Sequence, residues 1–292
     1  MPRPVLSGLP LLLAACGASP SAGPPHPGHD RPAIRELLGE IHLHQFPLGS
    51  HGWAGVLARP VVLDELHTDQ LVELSFAPTS RRGDCALYLP PSCTPPCAAH
   101  AYCAAKDSCR AFAPVTYVDG GDFHVTGSRV APRIRLFWSD RGQTYDSEPP
   151  PGSAPLFAGG ERLELTGGRG DYALAGSLGT PLPVEMESPD LRQPLRLPVG
   201  DWTIRWRGAG AHQVVVLVNA STRQGRSGYI KCVTADVGRV TVPGEMLAAL
   251  PATPRDIRLE VERHEERILP LPRQGQGFIV HAAFSAWQNG SE

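Results

Sequence analysis

The chain has 292 residues, a formal net charge of -2, 41% hydrophobic residues and 19% charged residues. That length supports one large or two ordinary domains with a real core. The near-neutral balance excludes the broad basic surface that a nucleic acid or an anionic membrane selects. Gly 31 and Pro 31 interrupt the chain too often for long helices, so short strands joined by turns are expected. Positive charge is nearly all arginine, with only Lys106 and Lys231 as lysines, which we read as the bias of a GC-rich genome.

The chain opens Met1-Pro2-Arg3 and continues as an apolar run from Val5 to Ala15, broken only by Ser7, Gly8 and Pro10. A membrane-spanning helix needs about 20 apolar residues. The run is too short for that and suits a secretory signal. It ends Leu13-Ala14-Ala15-Cys16, which resembles the bacterial lipobox at all four positions. The resemblance to bacterial lipoproteins implies cleavage before Cys16, a diacylglycerol on its sulfur and an acylated (palmitate-type) amine. Gly17 rather than Asp in the second position points, by analogy with enteric bacteria, to the outer membrane. Two or three acyl chains hold a protein on a bilayer, whereas one anchors only marginally. Residues 16–31, rich in Gly, Ala, Ser, Pro and His, are expected to form a flexible tether.

A short helix is expected from Pro32 to about Glu40, with Asp30 as cap. After it the pattern is that of strands. Ile41 to Phe46 alternates, as do Gln70 to Phe76 and part of Thr116 to Val125. In Arg133 to Trp138, Ile134, Leu136 and Trp138 share a face; in Asp201 to Arg207, Trp202, Ile204 and Trp206 do. Gln213 to Asn219 is a continuous valine-rich run, as in a central strand covered on both faces. Ile257 to Glu262 alternates, and Gly277 to Trp287 supplies a closing strand. One more short helix is expected at Gly244 to Leu250, between Pro243 and Pro251. Glycine turns fall at Asp119 to Asp122, Gly159-Gly160, Gly167 to Gly170 and Gly208 to Gly210.

With Cys16 assigned to lipid, six cysteines remain: Cys85, Cys93, Cys97, Cys103, Cys109 and the distant Cys232. An even set in an exported protein reads as disulfides. One of the cluster must pair with Cys232 if all are oxidised, and Cys85 is the favoured partner. Zinc on these cysteines is the alternative, weakened by the lack of a CxxC pair.

Histidines crowd the N-terminal part: His26, His29, His42, His44, His51 and His67. In a strand, His42 and His44 project to one face, with Glu40 on that face as well, and neutral imidazoles suit zinc or copper. Ala175-Gly176-Ser177-Leu178-Gly179 resembles a nucleophile elbow, but Pro181 and Pro183 forbid the helix that must follow it. Glu185/Glu187 and Glu260/Glu262 have the spacing of one strand face, and a solvated face accounts for both. The Trp202/Trp206 pair reads as core rather than a sugar platform, and Arg169-Gly170-Asp171 as a chance tripeptide.

These readings combine into an all-β protein. A disulfide-stapled, loop-rich N-terminal region (32–113) would precede an immunoglobulin-like or jelly-roll-like β-sandwich (114–292). The layout resembles the surface lipoproteins of GC-rich, myxobacteria-like genomes, most of which carry no assigned activity. The expected role is a non-catalytic module of the cell envelope that needs no cofactor and binds an envelope glycan or protein through its loops. A metal-binding lipoprotein using His42 and His44 is the second reading, and a hydrolase with an unrecognised site the third.

Overall fold

In the computed structural model, the described residues are 36–45, 52–62, 78–91, 93–95, 97–98, 101–111, 118–140, 144–148, 155–190, 193–208, 212–222, 227–251, 256–273 and 275–291. All lie within one compact unit, Ala33–Glu292. The expected signal, tether and Cys16 lie outside the described residues, as does the expected strand at Gln70 to Phe76.

Strands dominate. In chain order they are β1 (Glu36–Gln45), β2 (Gly52–Val62), β3 (Ser80–Arg82), β4 (Cys85–Tyr88), β5 (Ala101–Ala105) and β6 (Ser108–Ala111). There follow β7 (Phe123–Thr126), β8 (Arg133–Ser139), β9 (Thr144–Glu148), β10 (Arg162–Gly167), β11 (Leu174–Gly179) and β12 (Met186–Ser188). The last are β13 (Trp202–Trp206), β14 (Gln213–Ser221), β15 (Ser227–Ala235), β16 (Arg239–Val242), β17 (Asp256–Pro270) and β18 (Gln276–Ser291). Helix α1 (Gly244–Ala249) is the α-helix among the described residues, where the flanking prolines place it.

An eight-stranded sheet runs β2-β1-β18-β17-β14-β15-β4-β3. A five-stranded sheet (β11-β10-β7-β8-β9), a three-stranded sheet (β12-β13-β16) and the β5-β6 hairpin complete the fold. The expected all-β class holds. The layering differs from a two-sheet sandwich, because one face of the long sheet serves two cores. Ile257, Leu259 and Val261 of β17 join the core under the three-stranded sheet, while Leu269 joins the one under the five-stranded sheet. On β18, Phe278, Val280, Ala282 and Phe284 belong to the latter core and Ala286 to the former. The β17–β18 ladder runs without a register shift. Residues two apart in a strand share a face, so both cores lie on the same side.

Alternation explains which residues fill them. Ile134 and Leu136 of β8 are 0% exposed, and Trp202, Ile204 and Trp206 of β13 are all buried. The tryptophan pair is therefore core, as expected. Val214, Val216 and Val218 of β14 enter the second core while Val215 is buried on the other face, which is the two-sided burial of a central strand.

Two expectations are corrected. The helix expected over Pro32 to Glu40 is a strand from Glu36 onward. A short segment holds a helix weakly on its own, and here pairing with β18 on one side and β2 on the other satisfies the backbone. A bulge between Leu37 and Gly39 shifts the register, so that Leu38, Ile41 and Leu43 all enter one core. The boundary at 113/114 does not divide the fold either, because β1 and β4 are strands of the same sheet as β14, β15, β17 and β18. Of the expected Thr116 to Val125 strand, Thr116 and Tyr117 lie outside the described residues, and among the rest Phe123 to Val125 lie in a ladder.

Where the two cores meet, β17 changes character: Arg263, Glu265 and Arg267 continue the core-facing row between Val261 and Leu269. Arg263 is 1% exposed and its partner Asp236 0%. The guanidinium donates to Asp236 Oδ2 (2.8 Å) and to the carbonyls of Leu182 (2.9 Å), Pro183 (2.6 Å) and Arg207 (2.8 Å). Trp206 Nε1 donates to Asp236 Oδ1 at 2.7 Å. A buried polar cluster is tolerable only when satisfied in this way.

Two glycine turns lock together at the far end of the five-stranded sheet. Gly168 donates its backbone N–H to Asp122 O and Arg169 to Gly120 O, both at 2.7 Å, while the Arg169 side chain is ion-paired with Asp119. Gly168 has φ +74°, and a Cβ there would lie 2.1 Å from Tyr172 O. Gly168→Ala is therefore expected to cost about 1–3 kcal/mol. The control Gly179→Ala, with open space at its Cβ, should cost less than about 1 kcal/mol. Paired urea titrations check both, and equal midpoints would contradict the steric argument.

Candidate metal centre

The other face of the long sheet is polar along three neighbouring strands. Strand β1 brings Glu40, His42 and His44 at alternate positions. Parallel pairing sets His42 beside His281 and His44 beside Ala283 on β18. Antiparallel pairing then sets His281 beside Glu266, Ala283 beside His264, and Ser285 beside Glu262 on β17. The small, buried Ala283 thus lies between His44 and His264 on this face.

At one end, His42 Nε2 is 2.7 Å from Glu40 Oε2, and the His42 and His281 rings stack with centroids 4.7 Å apart and an interplanar angle of 14°. His281 Nδ1 lies 3.5 Å from Glu266 Oε2. At the other end, His44 Nε2 is 2.5 Å from Ser285 Oγ and 3.6 Å from Glu262 Oε2. Glu262 also approaches His264 Nδ1 at 3.8 Å, and Arg258 holds Glu260 at 2.8 Å.

Burial sets the charge state here. It lowers the His44 imidazole to about 4, with His42 and Arg258 adding to the effect. It lowers His281 to about 3, helped by His42 and His264. Burial with Glu260 alongside lifts the Glu262 carboxyl to about 7, opposed by the Ser285 hydroxyl and Lys231. His44 and His281 are therefore neutral at neutral pH, the form that offers a lone pair to a metal.

Two three-donor sets have their ligand atoms within 4.8 Å of one another on this face: Glu40, His42 and His281, and His44, Glu260 and Glu262. The expected pair His42 and His44 does share the face, but each belongs to a different set. Sequence reasoning missed His264, Glu266 and His281, and assigned Glu260/Glu262 to a solvated face although Glu260 is buried. The signal for His264 and Glu266 was their alternate spacing with Glu262, His281 had none, and which strand lies beside β1 is invisible in the sequence. His26, His29, His51 and His67 lie outside the described residues.

The cysteines form disulfides instead of a zinc site: Cys85–Cys232, Cys93–Cys103 and Cys97–Cys109. Cys85 is the partner favoured for Cys232 from the sequence. The hydrolase elbow is not formed, because Ser177 is buried within β11 and is followed by Gly179 and a proline-containing connection rather than a helix. Glu185 of the other carboxylate pair is exposed and held by Arg207 at 2.6 Å. Comparison with family models, curated proteins and solved structures returned no match.

Proposed function

We propose that this is an exported, lipid-anchored protein of the cell envelope, held to the outer membrane through Cys16, whose β body binds a ligand without catalysing a reaction. The observation that carries the reading is the pairing of all six other cysteines. Such a set belongs to an oxidising compartment, and it leaves Cys16, at the end of the lipobox, as the single cysteine outside it. The polar face argues for binding over hydrolysis. Ser285 Oγ and Glu262 Oε2 both approach Nε2 of His44, whereas in a serine–histidine–carboxylate relay the nucleophile and the orienting carboxylate meet opposite ring nitrogens. Ser285 is also 0% exposed, so a substrate does not reach its hydroxyl. Cells expressing the full chain should incorporate labelled palmitate into it, and Cys16→Ala should abolish the label. Unchanged labelling in that variant would remove the anchor from the proposal.

A further inference from the structure

We propose that the polar face of the long sheet is a binding site for a late first-row transition-metal dication of the zinc and copper class, with Glu40, His42 and His281 as its protein ligands. This deepens the reading of that face as a binding surface and is independent of the lipid anchor.

The donor set is two imidazoles and one carboxylate, which suits zinc or copper over magnesium or calcium. Three protein ligands with a fourth position left to water is an arrangement that zinc adopts in proteins. Tetrahedral zinc with bonds of about 2.0–2.1 Å needs donors about 3.3–3.4 Å apart. The three donors here lie within 4.8 Å of one another, and Nε2 of His42 is already 2.7 Å from Oε2 of Glu40. Closure requires the His42 and His281 rings, stacked at an interplanar angle of 14°, to turn out of their stack so that both lone pairs converge on the ion. Ligating histidines are oriented by a carboxylate on their other nitrogen. Glu266, 3.5 Å from Nδ1 of His281, stands in that place and leaves Nε2 for the ion.

The neighbouring set of His44, Glu260 and Glu262 is the weaker one. It has a single imidazole, and Arg258 already neutralises Glu260 at 2.8 Å, so a dication there meets a competing guanidinium. A hollow of about 300 Å³ lined by Gln213, His264, Glu265 and Glu266 lies beside Glu266, and the His42 side chain is itself 26% exposed.

The test uses the full chain, purified in detergent, with its disulfides intact. After incubation with zinc and dialysis, elemental analysis should find one ion per chain. His42→Gln and His281→Gln should each weaken zinc binding at least tenfold in calorimetry, while His44→Gln changes it less than threefold. Retention undiminished in the His42→Gln/His281→Gln variant would overturn the assignment and move the metal elsewhere, for example to His26 and His29. A cobalt titration of the unaltered protein guards against misfolded variants. The intense visible bands of a four-coordinate nitrogen–oxygen site are expected, and the spectrum of the aqueous ion alone would overturn the proposal.

Discussion

Asp236→Ala is expected to lower the free energy of unfolding by about 3–5 kcal/mol, read from the midpoint and slope of a denaturant titration. Asp236 is the counter-charge of Arg263, and both are essentially out of solvent. Removing the carboxylate leaves a guanidinium bound only to the carbonyls of Leu182, Pro183 and Arg207, and leaves Trp206 Nε1 without its acceptor. A buried charge stripped of its partner costs far more than the intact pair contributes. Arg263→Lys should be nearly as damaging, because one ammonium cannot meet acceptors arrayed around a planar fork. The effect should be cooperative across both halves, since this cluster ties the strand shared by the two cores to the connection before β12 and the turn after β15. A loss below about 1 kcal/mol would mean that water reaches the seam and replaces the missing partner.

The Cys85→Ala/Cys232→Ala variant should be nearly as destabilised, by about 2–5 kcal/mol. These cysteines face each other across the β4–β15 ladder and are 147 residues apart in the chain. Loop-closure entropy over a span of that length sets an upper figure of about 5 kcal/mol. Both sulfurs are buried in the core under the three-stranded sheet, so alanine also leaves a small void. Cys93→Ala/Cys103→Ala offers the contrast. That bridge spans 10 residues, and one of its ends lies in the separate two-stranded hairpin β5–β6. Its loss should loosen the hairpin locally and leave the main thermal transition within a few degrees. If the two double variants melt alike, the long-range staple is not what holds β4 to the sheet.

Much of the fold is legible in the residues because strand alternation is a local signal. Arg133-Ile134-Arg135-Leu136 and Trp202-Thr203-Ile204-Arg205-Trp206 place themselves, and Pro243 and Pro251 bracket α1. The segment at Glu36 to Glu40 misled because its apolar spacing also fits one turn of helix, and the deciding partner, β18, lies about 240 residues away in the chain. The candidate metal centre shows the same division. His42, His44 and Glu40 share a face by strand geometry alone. His281 and Glu266 join them only because β1 runs parallel to β18 while β17 runs antiparallel to it.

The sequence by itself determined the all-β class, the positions of strands such as β8, β13, β14 and β17, the burial of the tryptophan stripe and the even set of six cysteines besides Cys16. Each of those depends on neighbours a few residues apart or on simple counting. Only the tertiary structure decided that residues 36–45 and 85–88 belong to the same sheet as the C-terminal strands. It also decided that one face of that sheet covers two cores, and that histidines from both ends of the chain meet on the other. Strand order and register come from pairing between distant segments, where the favourable contacts appear only after long loops have closed. No spacing within a single strand carries that information.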